Sequence, residues 1–170
     1  LRSARDQNVE DFIGHRNLAI EFFHKGLAKI DGDPAQASEK LYKSVEESVK
    51  ALAIYYDLRD VHDRVRDRGR WSVRDLEDAV VRLSKILGEW LRRAWEAAYY
   101  LHVEGFHERR LGSAGVRERV GDVERVIEEI KKIIPWISLC GLFLYLTISP
   151  ILKGEAFSCS KNNFSGFLKL

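Results

Sequence analysis

The sequence predicts an all-α protein, an antiparallel bundle of four to five helices with an extra apolar segment at its C-terminal end. Three observations predict it. Helix-forming residues dominate, and the 170 residues include only 12 glycines and 3 prolines. Apolar residues recur at spacings of three and four, the period of one helix face. Between these periodic stretches stand helix stop and start signals: Gly32-Asp33-Pro34, Ser72-Val73-Arg74-Asp75 and Ser113-Ala114-Gly115. Hydrophobic residues make up 45% of the chain, enough for a core, and charged residues 32%, which suits a solvated helical surface.

The first helix is expected from about Asn8 to Asp31, with Phe12, Ala19, Ile20, Phe23, Leu27 and Ile30 on its apolar face and Gly32 ending it at a positive φ. Asp33 can cap the second helix, and Pro34 fits its first turn, where a missing N–H costs nothing. So short a connection predicts an antiparallel pair. The second helix runs to about Leu58 and turns Ala37, Leu41, Val45, Ser48, Leu52 and Tyr55 to one side. Five arginines and three aspartates then alternate in RDVHDRVRDRGR, Arg59 to Arg70. Such a run can contact phosphate. A self-paired helix end or loop is favoured, because the interleaved aspartates repel phosphate. The spacing of Ser72 and Asp75 marks the start of a third helix, carrying Leu76, Val80, Leu83 and Leu87, with Gly88 as a break or close contact.

The stretch WLRRAWEAAYYLHVEGFHE, Trp90 to Glu108, is expected to be a helix that runs into a turn at Gly105. Leu87, Leu91, Ala94, Ala98 and Leu101 suit a buried stripe, and Arg92, Trp95, Tyr99, His102 and Phe106 form a second one that ends beside His107. A last helix, with Val116, Val120, Val123, Ile127, Ile130 and Ile134 in register, must dock on the others to be stable.

Charge divides the chain at Ile133. Residues 1–132 hold 25 basic and 25 acidic side chains, whereas residues 133–170 hold three lysines and one glutamate. The predicted domain is therefore 1–132, followed by an apolar and loosely ordered tail, 133–170. The net charge of +2 argues against a surface given over entirely to nucleic acid. Ile133 to Leu152 contains no charge and is long enough to span a bilayer, although Pro135 and Pro150 bracket a shorter stretch. The alternatives are a membrane helix with the helical domain in the cytoplasm, a covered apolar segment, and a tail foreign to the domain. Cys140 and Cys159 form neither a disulfide framework nor a zinc pattern. No secretory signal opens the chain, so a cytoplasmic location is the default expectation. Methionine is absent even at position 1, which fits a non-standard start codon or a fragment. Few amides beside many arginines and glutamates fit a thermophilic source.

GDPAQASEKLYKSVEESVKALA (Gly32 to Ala53) and LGEWLRRAWEAAYYLHVEGFHERRL (Leu87 to Leu111) resemble the archaeal PaREP type-one family, which is itself similar to HEPN-type helical domains. Asp33, Ala37, Glu39, Lys40, Tyr42, Lys50 and Ala51 carry the resemblance in the first segment. Trp95, Ala98, Leu101, His102, Gly105, Phe106, His107 and Glu108 carry it in the second. The resemblance spans about residues 10–132 and implies an antiparallel bundle with no settled activity. HEPN-type relatives include RNases and partners of nucleotidyltransferases. Those RNases use an arginine followed by a histidine after four to six intervening residues, and no arginine here has a histidine at that spacing. Arg92 and His102, ten residues apart, stand roughly 15 Å apart along one helix.

Function is thus expected to be non-catalytic binding of nucleic acid, a nucleotide or a nucleotidyltransferase-type partner, by a homo-oligomer and without a cofactor. Arg92, Trp95, Tyr99, His102, Phe106 and His107 are the candidate binding residues. The first alternative is an RNase or other hydrolase in which His102 or His107 moves a proton and Glu108 orients it. The second is a membrane-tethered helical module. No metal ligands are expected: the two histidines are five apart where helical metal pairs prefer three or four, although Glu104 and Glu108 could complete a site. Aromatic stripes such as Trp95, Tyr99 and Phe106 can stack on a base, but are more often core or dimer interface.

Overall fold

The computed structural model describes residues 4–134, with side chains from residue 11 onward. The chain divides into two units, Leu1–Pro135 and Trp136–Leu170. Expectations for residues 135–170, most of the bilayer-length run among them, fall outside the described residues. Within those, no helix is long and apolar enough to cross a membrane.

Six helices, and no strand, make up the described part: α1 (Ala4–Leu27), α2 (Pro34–Tyr55), α3 (Arg59–Arg68), α4 (Val73–Leu87), α5 (Trp90–Tyr100) and α6 (Ser113–Ile133). A π-helical turn, Leu101–His107, continues α5 directly. The sixth helix corrects the expected four to five: it is α3, formed by the arginine–aspartate run. Its lone buried apolar residue is Val61, and Gly69, at φ +72°, closes it in the left-handed conformation that glycine adopts without strain.

α1 ends at Leu27, earlier than predicted, and Gly32 is not in the left-handed region. The chain instead tightens after Gly26, where Lys29 and Ile30 donate to carbonyls three residues back. This swings Ile30 into the core, where its carbonyl accepts from the Ser113 hydroxyl at 2.9 Å. Asp33 caps α2 by accepting from the Gln36 N–H at 3.0 Å, with Pro34 in the first turn as expected. Ser72 and Asp75 form a reciprocal capping box at the start of α4.

α2 packs against α1, α4, α5, the π turn and α6. It therefore buries more than one face: Ala37, Leu41, Val45, Ser48 and Leu52 are inaccessible, and so are Val49 and Ala51 on other sides. Leu91, Ala94, Ala98 and Leu101 of α5 and the π turn meet it from across the bundle, and Val116, Val123, Ile127 and Ile130 of α6 close the core. Two points of very close approach let the helices draw together. A Cβ on Gly26 would stand 2.8 Å from Leu41 Cγ, and one on Gly105 would stand 2.6 Å from Ser38 Cβ. Gly105 is thus a packing glycine. The predicted helix break at that residue does not occur.

Candidate functional site

The histidines of the second stripe meet because of the π turn. In a regular α-helix, residues five apart lie roughly 140° apart around the axis. A π-helix, whose hydrogen bonds join residues five apart, widens the turn and brings them to nearly the same face. The Glu108 N–H donates to the Val103 carbonyl at 2.9 Å in that pattern. His107 Nε2 consequently lies 3.1 Å from His102 Nε2. The other nitrogen of His102, Nδ1, is 2.7 Å from Glu39 Oε2 on α2. A carboxylate, a half-buried imidazole and an exposed imidazole form one chain of hydrogen bonds: Nδ1–H of His102 donates to Glu39, and its Nε2 accepts from His107.

His102 is clamped in plane as well. Tyr42 stacks on it at 4.1 Å between ring centroids and 23° between planes, and Phe106 lies nearly parallel at 6.2 Å on the same turn. Burial, then the nearby Glu46 carboxylate, pushes the Tyr42 phenol well above its ordinary range, so it stays protonated and donates to Glu46. From there a ladder of charges runs along α2. Glu46 accepts from Lys43 at 2.7 Å and from Lys50 at 2.6 Å, and Lys50 also donates to Glu47 at 2.7 Å. Glu47 lies 2.6 Å from His15 Nδ1 on α1. Burial opposes the ionisation of Glu46 and Glu47. The hydrogen bonds from Lys43 and Lys50 to the first, and from His15 and Lys50 to the second, outweigh it and hold both carboxyls below their ordinary values.

The other predicted residues separate from this cluster. Trp95 is buried and donates its indole N–H to Glu77 at 2.7 Å, so its ring belongs to the core and is closed to a ligand. Arg92 is held between Glu89 at 2.8 Å and Glu96 at 2.7 Å. Glu108, the expected orienting carboxylate, pairs with Arg110 at 3.2 Å, as does Glu104 at 3.0 Å. The orienting role falls to Glu39, which sequence reasoning missed. Its signal was the spacing of Glu39, Lys43, Glu46, Glu47 and Lys50, a polar stripe at helical period on a helix otherwise made to be buried. Tyr99 is open to solvent. Among the described residues no group of three or more histidine, cysteine or carboxylate side chains converges as a metal-binding set.

The arginines of α3 are mostly neutralised, as the self-paired reading expects. Arg64 reaches Asp78 at 2.6 Å, Arg66 reaches Asp63 at 2.7 Å, and Arg68 reaches Asp75 at 2.6 Å. An open cavity of about 460 Å³ lies beside this helix, lined by Asp11, His15, His62 and Trp71 among others.

A different cationic surface lies between α5 and α6. The Arg119 guanidinium sits 4.2 Å over the Tyr100 ring, and Arg125 sits 5.7 Å over that of Trp90. Arg93 falls seven residues before Tyr100, on the same side of α5. It is exposed and enters no ion pair among the described residues.

Fold and site together define an all-α helical bundle that carries an oriented imidazole pair on a π turn. The chain belongs to the archaeal PaREP1/PaREP8 family, whose sequence model matches residues 14–127. It is similar to a protein from Sulfolobus solfataricus known from a crystal structure, at 31% identity and a TM-score of 0.64, over 69% of this chain and 96% of that one. A solution structure of the same target, described as the Orf c02003 protein, is also 31% identical, with a TM-score of 0.61 over 71% of this chain and 94% of that one. No curated protein matches.

Proposed function

We propose that the chain is a non-catalytic binding module that holds unpaired nucleobases, of RNA or of a free nucleotide, on the rim between α5 and α6. One observation carries this reading: two aromatic–arginine stacks, Trp90 with Arg125 and Tyr100 with Arg119, stand on one rim with the unpaired Arg93 between them. Trp90 and Tyr100 are ten residues apart, roughly 15 Å along the helix. Aromatic faces stack on any base, and guanidinium groups both stack and meet phosphate. Tyr100 is 43% exposed and Trp90 half-buried, so both rings keep some surface open to a ligand. Asp122 of α6 falls at helical spacing between Arg119 and Arg125, which limits the net positive charge and favours short single strands over duplex.

A second reading has its own support. The Glu39–His102–His107 chain orients an exposed imidazole as a general acid–base group requires. One experiment separates the two. The full chain is incubated with fluorescent single-stranded RNA, and both anisotropy and strand length are followed. The binding reading expects retention of intact RNA, weakened about tenfold or more by Tyr100→Ala with Arg119→Ala, at about 1–3 kcal/mol per stacked base. Cleavage that disappears in His107→Ala would replace it with the hydrolase.

A further inference from the structure

We infer that His102 and His107 form a binding site for a divalent transition ion of the zinc type, with Glu39 as the residue that positions it. This goes beyond the nucleobase reading and rests on none of its residues.

The two imidazoles converge through the same atom, Nε2, at a separation of 3.1 Å. Two histidine nitrogens bound to a tetrahedral zinc at about 2.0–2.1 Å stand roughly 3.3 Å apart. The pair needs to open by only a few tenths of an ångström to admit an ion. His102 is already in the tautomer a metal requires. Its Nδ1–H is engaged by Glu39 Oε2 at 2.7 Å, which leaves the Nε2 lone pair facing His107. A carboxylate behind a metal-ligating histidine is the arrangement that fixes ring orientation and raises ligand basicity. Tyr42, stacked on one face of His102, locks the ring further.

What stands between the two nitrogens is one proton, on His107 Nε2. The ion takes the place of that proton, and His107 shifts it to Nδ1, so both rings stay neutral ligands. His107 is exposed, so the ion arrives directly from solvent. The two neighbouring carboxylates of the turn, Glu104 and Glu108, are held by Arg110. The protein therefore supplies two ligands and leaves the remaining positions to water or to an anionic ligand, an open site of the kind that exchanges what it binds. Imidazole ligands suit zinc, copper and nickel over calcium and magnesium.

The π turn gives this geometry its reason. Regular α-helix would carry His107 roughly 140° around the axis from His102, where no single ion reaches both. Gly105, between them, lets the turn lie flat against Ser38 and brings His102 within reach of Glu39. The i, i+5 spacing that argues against a metal pair on an α-helix becomes the correct spacing on this one.

Titration of the full chain with zinc alone, followed by calorimetry, tests the site. The wild type is expected to bind one zinc equivalent that His107→Ala does not bind, whatever the cysteines at 140 and 159 take up. His107→Ala alters an exposed side chain, and an unchanged far-ultraviolet dichroism spectrum verifies its fold. Glu39→Gln is expected to keep the equivalent but weaken it about 10–100-fold, because it leaves both imidazoles in place and removes the charge behind one. Equal zinc stoichiometry in wild type and His107→Ala, or no zinc bound by the wild type, would overturn the site. Unchanged affinity in Glu39→Gln would remove the positioning role.

Discussion

Gly105 faces Ser38 across the α2–π-turn contact so closely that a Cβ on the glycine would stand 2.6 Å from the serine Cβ, and closer still to its Oγ. Ser38 cannot turn aside freely, because its hydroxyl donates to the Pro34 carbonyl at 2.8 Å within the first turns of α2. Gly105→Ala must therefore push the π turn off α2. The expected loss is about 1–3 kcal/mol, the usual cost of overpacking a filled interface. Ser38→Gly in the same chain removes both clashing atoms and should recover part of that loss, a coupling that urea denaturation of the two single variants and the double variant measures directly. Strict additivity would show that Gly105 matters through its backbone conformation alone.

A second expectation concerns the charge ladder of α2. Lys50 donates to both Glu46 and Glu47, and all three are largely buried. Removing one member of a buried ionic group costs about 3–5 kcal/mol where the rest is left uncompensated, and less here because Lys43 still pairs with Glu46 and His15 with Glu47. Lys50→Met should fall below that range at neutral pH, and its pH dependence should flatten. In the wild type both carboxyls titrate below their ordinary values, so their contribution is complete above the unfolded value of about 4.3 and fades as the pH falls through the folded ones. Without the lysine, Lys43 still favours the Glu46 carboxylate and His15 that of Glu47, so burial offsets more of the remaining attraction and both values rise from those of the wild type. The difference between wild type and variant should then shrink between about pH 5 and pH 3, where the wild type loses the ionic contribution that the variant has less of. Chemical denaturation at the two pH values checks the sign.

The apolar seams were legible in the sequence for a simple reason. A stripe at period three to four must be buried, and Leu41, Leu52, Leu91 and Leu101 are. The caps at Asp33 and Ser72 were legible because their chemistry is local. α3 was not, because a helix with one buried apolar residue leaves no periodic signal, and it is held mainly by arginine pairs to α4. The site was half legible. His102 and His107 stood out as residue types, yet α-helical spacing set them on different faces, and nothing in LHVEGFH announces a π turn. Glu39 lies 63 residues before its partner, a pairing that only the packing of α2 against the turn creates. The helix that the rest of the bundle surrounds is α2, not the Trp90 to Glu108 stretch that carries most of the candidate residues.

Trp95 offers a test of which aromatic residues are structural. Its indole N–H donates to Glu77 Oε1 at 2.7 Å from an otherwise closed core position. Glu77→Ala removes only that acceptor and strands a buried donor, with an expected cost of about 1–2 kcal/mol, whereas Glu77→Gln retains an acceptor and should cost less. Thermal melts of both variants make the comparison. Equal losses would mean that the indole N–H finds water in place of Glu77.

Asp75 should dominate the acid limb of the stability curve. It is fully buried at the junction of α3 and α4, where burial alone would raise its pKa. Arg68 at 2.6 Å, the Ser72 hydroxyl at 2.6 Å, the Ser72 N–H at 2.9 Å and Arg64 at 3.3 Å all favour the carboxylate, and they hold it far below the ordinary range. A carboxyl whose folded value is depressed stabilises fully above its unfolded value of about 3.9, and that stabilisation is lost progressively as the pH falls toward the folded value. The wild type should accordingly lose stability below about pH 5 in proportion to this group. Asp75→Asn keeps the shape but loses the charge and one of the two acceptor oxygens that Arg64, Arg68 and Ser72 use. It should cost about 2–3 kcal/mol at pH 7 through the charged hydrogen bonds and the cap. The difference between the two proteins should shrink steadily between pH 5 and pH 2. Urea denaturation across that interval reads it, and a constant difference would mean that Asp75 contributes through packing and not through its charge.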